Sequence, residues 1–245
     1  MDENIADKFW GKTNPYYSAY HHMLDTAAVA AVFWEKRMKC PDKAIINQAF
    51  GLDEKQSHSL FLLLTAAHDI GKISYNFTVK TYPNERGLME TNGNFENRQK
   101  IHELNKQYLE KEGFELLTKK HDEKDLYHGT LSVKILSRIF EKMGAEKTIS
   151  LKMAHISGIH HGRYIRSEEM GESDYRSFYN KDQRNKQKQL WEQSQDIVFN
   201  KLAKDMNLVE IDYKNIKCEN ECSCIYIAGA ISIFDWISSG NMTGA

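Results

Sequence analysis

The chain has 245 residues, 41% of them hydrophobic, and 33 Lys and Arg against 34 Asp and Glu give a net charge of −1. That apolar share excludes wholesale disorder, and the charge balance excludes nucleic-acid binding through bulk positive charge, leaving only a local basic patch. With no repeat, low-complexity tract or linker, residues 1–245 read as a single domain.

Only three prolines (Pro15, Pro41, Pro83) and long helical periodicities predict an all-α bundle with little or no β structure. Tyr17–Met38 reads as a helix with a small-residue face (Ala27, Ala28, Ala30, Ala31) for close packing. Asp53–His68 reads as a second helix, with Asp53 as N-cap and Gly71 beyond its end. Gly87–Glu96 is polar and reads as a loop, whereas Asn97–Thr118, Gly129–Met143 and Thr148–Ile159 read as helices. Ser167–Lys188 is charge-dense, either a long loop or a solvated helix. Trp191–Met206 reads as a helix, Val209–Tyr213 as a loop or short strand, and Cys224–Ser238 as an apolar closing helix.

No membrane span is expected. The longest apolar runs, Ala27–Trp34 and Leu60–Ala67, fall far short of the roughly 20 residues a bilayer helix needs. The acidic start Met1-Asp2-Glu3-Asn4 leads into no secretory segment, and four cysteines do not build a disulfide scaffold. A cytoplasmic protein with reduced thiols is the expectation.

Histidines and acids interrupt the apolar helices. Ala67-His68-Asp69-Ile70-Gly71-Lys72 ends the most apolar of them. A lone aspartate there costs several kcal/mol. Either Lys72 neutralises it while His68 caps the helix, or imidazole and carboxylate face a metal ion. Ile156-Ser157-Gly158-Ile159-His160-His161-Gly162-Arg163 sets paired histidines between glycines, which admit close backbone approach to a ligand. The plain alternative is a surface turn.

Tyr127-His128-Gly129 places an imidazole at a helix start, where the dipole disfavours its protonation. A metal-bound ring and a merely neutral one both satisfy that. His22 shares a helix face with Asp25 and Thr26, and Asp25 either orients the ring or pairs locally. Asp235 interrupts the closing helix and needs a cation, whether Arg, Lys or metal. Taken together, these imidazoles and carboxylates suit first-row divalent ions, and the absence of cysteine from these segments argues against structural zinc. Cys218 and Cys222 read as loop thiols and Cys224 as core, because a fourth ligand is missing nearby.

In this order the motifs resemble the HD superfamily of metal-dependent phosphohydrolases. More closely, they resemble the HD nuclease domain of the type I CRISPR-associated helicase-nuclease, of the I-E kind. The resemblance runs from Phe9-Trp10-Gly11-Lys12 and the segment His22–Ala30, through Ala67–Ile73 with Phe77, to His128-Gly129, Gly158–Gly162 and Ala228–Ser239. It implies an HD-domain helical bundle. His22, His68, Asp69 and Asp235 would hold one ion, and Asp69 would bridge to a second held by His128, His160 and His161. Lys72 would stand near substrate phosphate, so that His68, Asp69 and Lys72 are the implied catalytic residues. Ligand type favours two Mn2+ ions, with Ni2+, Co2+ or Fe2+ as alternatives.

The implied substrate is single-stranded DNA, cut in CRISPR interference alongside a helicase domain or subunit and an RNA-guided type I surveillance complex. A single strand needs a local basic groove with stacking aromatics. Arg163, Tyr164 and Arg166 are the DNA-binding candidates. Arg176, Tyr179, Lys181, Arg184, Lys186 and Lys188 follow, unless that run is a solvated face, and Tyr75, Phe77 and Lys80 lie just after the His-Asp turn. The family's early Tyr-His-Pro step reads Tyr16-Tyr17-Ser18 here. The family continues into a helicase after the final Asp-Trp helix, so the motor is expected outside this sequence. Two other classes stand open: an HD phosphohydrolase acting on nucleotides or cyclic nucleotides, and a non-catalytic relative.

Overall fold

Helices start where side chains cap them. Ser18 accepts from the His21 amide, Asp53 from Gln56, Glu146 from Thr148 and Ile149, and Asn220 from Ser223. Each cap satisfies amides that the first helical turn leaves open. The computed structural model describes residues 1–13, 16–79, 94–116, 127–163, 165 and 181–240. After a 3-10 turn (Glu3–Lys8), an antiparallel hairpin pairs β1 (Trp10–Thr13) with β2 (Tyr16–Ser18). Then come α1 (Ala19–Lys36), α2 (Cys40–Phe50), α3 (Glu54–Ala66), a 3-10 turn (Ala67–Lys72) and α4 (Tyr75–Thr78). The order continues with α5 (Asn94–Lys111), α6 (His128–Lys142), α7 (Lys147–Gly158), α8 (Lys181–Asp205) and α9 (Glu221–Ser239). The fold is mostly helical, as expected, and the hairpin is the one sheet among the described residues.

Several boundaries differ from expectation. The sequence reading has no helix over α2, yet its signals are present: Pro41 in the first turn, the Asp42 carboxylate accepting from the Lys39 amide at 3.0 Å, and left-handed Gly51 at the end. α5 stops at Lys111, ahead of the predicted Thr118, and Gly113 follows at φ +96°. α8 begins ten residues before the predicted Trp191, which resolves 181–188 as helix. Val209–Tyr213 forms no strand, and the chain makes a 3-10 turn at Tyr213–Asn215. The predicted loop Gly87–Glu96 is helical over its last three residues, where α5 begins at Asn94, and its positions 87–93, like the run 167–180, lie outside the described residues.

α3 occupies the centre. From Ser57 to Ala66 every position except His58 is buried, so the helix has no solvent face and must be surrounded. α1, α7 and α9 pack around it, and the Phe61 and Phe234 rings meet at 5.9 Å. α9 is long and apolar enough to cross a bilayer by length and composition, with a mean hydropathy of 1.4. Serines and Asp235 interrupt it, so unbroken apolar runs do not reveal this. In the structure it lies against α1 and α7, turning Ile227, Ile231, Phe234 and Asp235 inward and leaving Ile225, Ile233, Trp236 and Ile237 exposed.

Glycines permit the closest contacts. A Cβ on Gly158 would stand 2.8 Å from the Gly129 carbonyl and 2.5 Å from Val133 Cγ2, and one on Gly129 would meet the Gly158 carbonyl at 2.6 Å. The crossing of α6 and α7 is therefore a glycine-on-glycine contact. Gly71 similarly lies on the first turn of α6, where a Cβ would collide with the His128 carbonyl. Ser132 fastens that junction: its hydroxyl accepts from the Gly71 amide (2.9 Å) and donates to the His68 carbonyl (2.7 Å).

Gly158→Ala is expected to destabilise the chain by about 1–3 kcal/mol through overpacking. Gly229→Ala, at an exposed position of α9 with open space beside it, is expected to stabilise by up to about 1 kcal/mol. Denaturant midpoints of the two variants check both signs.

Candidate metal centre

Five separate elements deliver side chains to one point. α1 supplies His22, the turn after α3 supplies His68, Asp69 and Lys72, and the first residue of α6 is His128. His160 and His161 follow the end of α7, and α9 supplies Asp235. Asp69 stands at the middle. Its Oδ2 lies 3.4 Å from both His22 Nε2 and His68 Nε2. Its Oδ1 lies 3.4 Å from His128 Nε2 and 3.6 Å from His160 Nε2. Asp235 Oδ1 closes the first side at 3.0 Å from His22 Nε2 and 3.5 Å from His68 Nε2. His161 Nε2 closes the second at 3.1 Å from His128 Nε2. His22, His68, Asp69 and His160 are all buried.

Backbone carbonyls aim the two innermost rings. His68 Nδ1 lies 2.8 Å from the Thr65 carbonyl and His160 Nδ1 lies 3.0 Å from the Ser157 carbonyl. A carbonyl only accepts, so each Nδ1 carries the proton and donates, which turns the Nε2 lone pair toward Asp69 in the neutral ring. Neither Nε2, nor Asp69 Oδ1, has a hydrogen-bond partner among the described residues. Ser239, one turn after Asp235, donates to Asp235 Oδ1 at 3.0 Å.

The charges interlock. Burial disfavours the imidazolium of His68, but the Asp69 and Asp235 carboxylates outweigh it and lift the group to about 9. Burial and the neighbouring His68 charge press His160 down to about 3. Burial also opposes ionisation of Asp69, yet Lys72 and His68 overcome it and hold the acid well below the usual carboxylate range. Asp235 is lowered as well, its burial outweighed by the hydrogen bond from His22 and by the nearby positive charge of His68. Three overlapping donor groups can each hold a metal ion: His128, His160 and His161; His22, His68 and Asp69; and His68, His160 and Asp235. Within each group the donor atoms lie within 4.8 Å of one another.

Every residue named from sequence as a metal ligand thus lies in this cluster. Lys72 is buried with its ammonium 2.6 Å from Asp69 Oδ2, so the neutralising pair and the donor cluster coexist on one carboxylate. Asp25 does not orient His22; it accepts from the Tyr17 hydroxyl at 2.7 Å. Gly129, next to His128, and Gly158, two residues before His160, serve the helix crossing. Arg163 is exposed, with its guanidinium 5.0 Å over the Tyr127 ring, which itself lies 4.7 Å from the His128 ring. Tyr164, Arg166, Lys80, Arg176 and Tyr179 lie outside the described residues. Tyr75 is core, and Lys188 pairs with Glu192 on α8. Cys218 lies in the loop before α9, as read, but is buried; Cys222, read as a loop thiol, is exposed in the first turn of α9, and Cys224 is partly buried there; none of them joins a donor group among the described residues. Sequence reasoning missed the carbonyls of Thr65 and Ser157, which have no sequence signal. It also missed Ser239, whose spacing of four from Asp235 was the available clue.

The family pattern described as "Cas3, HD domain" matches residues 10–242. No curated protein matches the sequence. Among solved structures, a CRISPR-associated protein superposes with a TM-score of 0.71 at 24% identity, covering 97% of this chain and 23% of that one. The Thermus thermophilus cas3 HD domain in the presence of Ni2+ gives 0.62 at 17% identity, over 97% and 77% of the two chains. A chain of a CRISPR RNA-guided surveillance complex, pre-nicking, gives 0.59 at 15% identity, over 95% and 24%. These identities establish likeness of fold, and this chain spans under a quarter of the first structure's length.

Opposite limbs follow for metal-free protein. The raised His68 adds stability that is complete below its ordinary value near 6.5 and is lost as pH rises through about 9. The depressed His160 adds stability present above about 6.5 and lost as pH falls toward 3. Stability in chelator should therefore peak near pH 6.5 and fall by about 3 kcal/mol on the alkaline side and about 5 kcal/mol on the acid side. His68→Asn should flatten the alkaline limb, and His160→Asn should make the acid limb shallower without abolishing it, since the depressed Asp69 and Asp235 also lose stabilisation in acid; denaturant midpoints across pH read both.

Proposed function

The chain belongs to the Cas3 HD-domain family, and we propose that it is a two-metal nuclease that hydrolyses phosphodiester bonds of single-stranded DNA. The observation that carries this is the division of Asp69: one oxygen faces His22 and His68, the other faces His128 and His160. A structural ion pair needs no such arrangement, because Lys72 already neutralises the carboxylate. The unpartnered Nε2 atoms of His68 and His160, buried beside an unpartnered carboxylate oxygen, fit cations and leave dehydrated donors without them. On this reading His22, His68, Asp69 and Asp235 would hold one ion, His128, His160 and His161 would hold the other, and Asp69 would be shared between them. Divalent ions held there would supply an acidified water and a clamp on the phosphodiester.

The protein's own groups do the rest. The Thr65 and Ser157 carbonyls keep the His68 and His160 rings in register. Asp69 and Asp235 bring negative charge that balances the cations, and Lys72 holds Asp69 in place. The donor set, all nitrogen and oxygen, supports Mn2+ first, with Ni2+, Co2+ or Fe2+ as alternatives; the Ni2+ used with the Thermus thermophilus domain agrees with that range. Arg163 beside Tyr127 supports a nucleic-acid path at the His128 side, and Tyr164 and Arg166 extend the same proposal. The likeness to a chain of a surveillance complex supports action in type I CRISPR interference, in the cytoplasm, with a helicase domain or subunit. The paired His160-His161 and the Asp235-Trp236 step make the HD-nuclease pattern more specific, and the I-E kind is the type proposed.

Purified protein loaded with Mn2+ should bind two ions per chain and degrade single-stranded DNA. Chelator should abolish cleavage, and His68→Ala or Asp69→Asn should lower the rate at least about 1000-fold, in line with loss of a metal-activated nucleophile. Undiminished cleavage in chelator and in His68→Ala would sink the two-metal reading. Hydrolysis of cyclic dinucleotides with DNA left intact would move the chain to the nucleotide phosphohydrolases.

A further inference from the structure

Lys12 is a cation of the site's rim that the metal reading leaves without a role. It lies on β1, opposite Tyr17 in the hairpin register, and is partly exposed. The strand is bulged between Trp10 and Lys12, a device that re-aims side chains beside active sites. Gly11 fits the bulge because its α-carbon faces the start of α1, where a Cβ would stand 2.8 Å from Ala19 Cα. Trp10 packs on Phe77 with ring centroids 4.4 Å apart. Phe77 in turn lies 5.7 Å beneath the Lys72 ammonium and 6.1 Å from the His128 ring. β1 therefore borders the centre on the side of Lys72.

The charges that bear on the Lys12 ammonium belong to that centre: Lys72 acts most strongly, then Asp235 and Asp69, and only then Asp25. Burial and the repulsion from Lys72 make the ammonium more acidic than usual. Neither aspartate is within ion-pair distance of it, and Lys12 has no salt bridge or hydrogen bond through its side chain among the described residues. Asp25 is occupied by Tyr17 and Asp69 by Lys72 at 2.6 Å. Two lysines thus face one rim, the inner one committed to a carboxylate and the outer one uncommitted. An anion placed between them relieves the repulsion and meets an ammonium that no protein carboxylate competes for.

We propose that Lys12 is a substrate-binding residue whose ammonium takes a phosphate oxygen of the bound strand at the rim of the centre. This rests on the reading of the site as a phosphodiester hydrolase. It also shifts part of the phosphate contact from Lys72, which is buried and paired, to a residue that approaching substrate can reach.

The test compares wild type, Lys12→Gln and Lys12→Arg as full chains loaded with Mn2+, on oligothymidylate and on bis(p-nitrophenyl) phosphate, a diester with no strand. One phosphate contact on a single strand contributes about 0.7 to the slope of log affinity against log salt. Lys12→Gln should therefore shallow the salt dependence of KM for oligothymidylate by about 0.7 and raise KM about fivefold at roughly 0.1 M salt. The kcat should change far less, and Lys12→Arg should keep wild-type values. Bound metal should stay at the wild-type content in both variants. A Lys12→Gln enzyme with unchanged KM and unchanged salt slope overturns the proposal, as does a KM change that tracks loss of metal. Wild type that cleaves the small diester but not oligothymidylate overturns the single-strand reading alone; a higher KM of Lys12→Gln for the small diester then still supports Lys12, and an unchanged one overturns it. Wild type that cleaves neither overturns both.

Discussion

Asp69 is one carboxylate with two oxygens and two sets of neighbours, and the centre is organised around that division. Oδ2 looks to His22, His68 and Lys72, and Oδ1 looks to His128 and His160. A charge so deeply buried persists only if cationic and hydrogen-bonding groups surround it. The fold meets that demand by bringing α1, the turn after α3, the start of α6, the end of α7 and the interior face of α9 to the same carboxylate. Displacing any one of them leaves a dehydrated acid or imidazole without a counterpart. Local order at this point is therefore a condition on the whole bundle.

Backbone proximity makes such convergence possible. Imidazoles from α6 and α7 can face one carboxylate only if the two helices cross almost in contact, and Gly129 and Gly158 remove the side chains that would hold them apart. Gly71 does the same between the His-Asp turn and α6, and the Ser132 hydroxyl locks the junction with one donated and one accepted bond. In sequence Gly158 reads as room for a ligand beside the paired histidines, and Gly71 as the end of a helix. In the structure they give room to a neighbouring helix, and the ligand donors are positioned as a consequence. The two carbonyls that orient His68 and His160 both sit three residues before their ring, so the same local geometry serves twice.

The electrostatic design distributes opposite tendencies over neighbouring rings. His68, next to two carboxylates, holds its proton strongly, whereas His160, buried beside a charged ring, gives its proton up. A cation held there would take the place of the proton on the first ring and would meet a ready lone pair on the second. The lysines follow a similar gradation, with Lys72 buried on the carboxylate and Lys12 partly exposed at the rim.

Much of this was legible in the residues. The helical class followed from the scarcity of proline and from periodicity, and α6 and α7 lie within a residue of their predicted ends because capping and apolar spacing are local effects. The metal-donor candidates were legible because a charged or titratable group inside an apolar helix demands a partner wherever the helix goes. The early start of α8 was not legible, since a polar helix and a solvated loop share a composition. Nor could sequence decide between the pairing of Asp69 with Lys72 and its exposure to imidazoles, because the two are compatible and differ only in where His128 and His160 lie. Residue types and spacing thus determined which groups need partners. Only the tertiary structure decided who the partners are, because the distances that matter, a few ångströms between residues up to 213 positions apart, are set by helix packing and by no local rule.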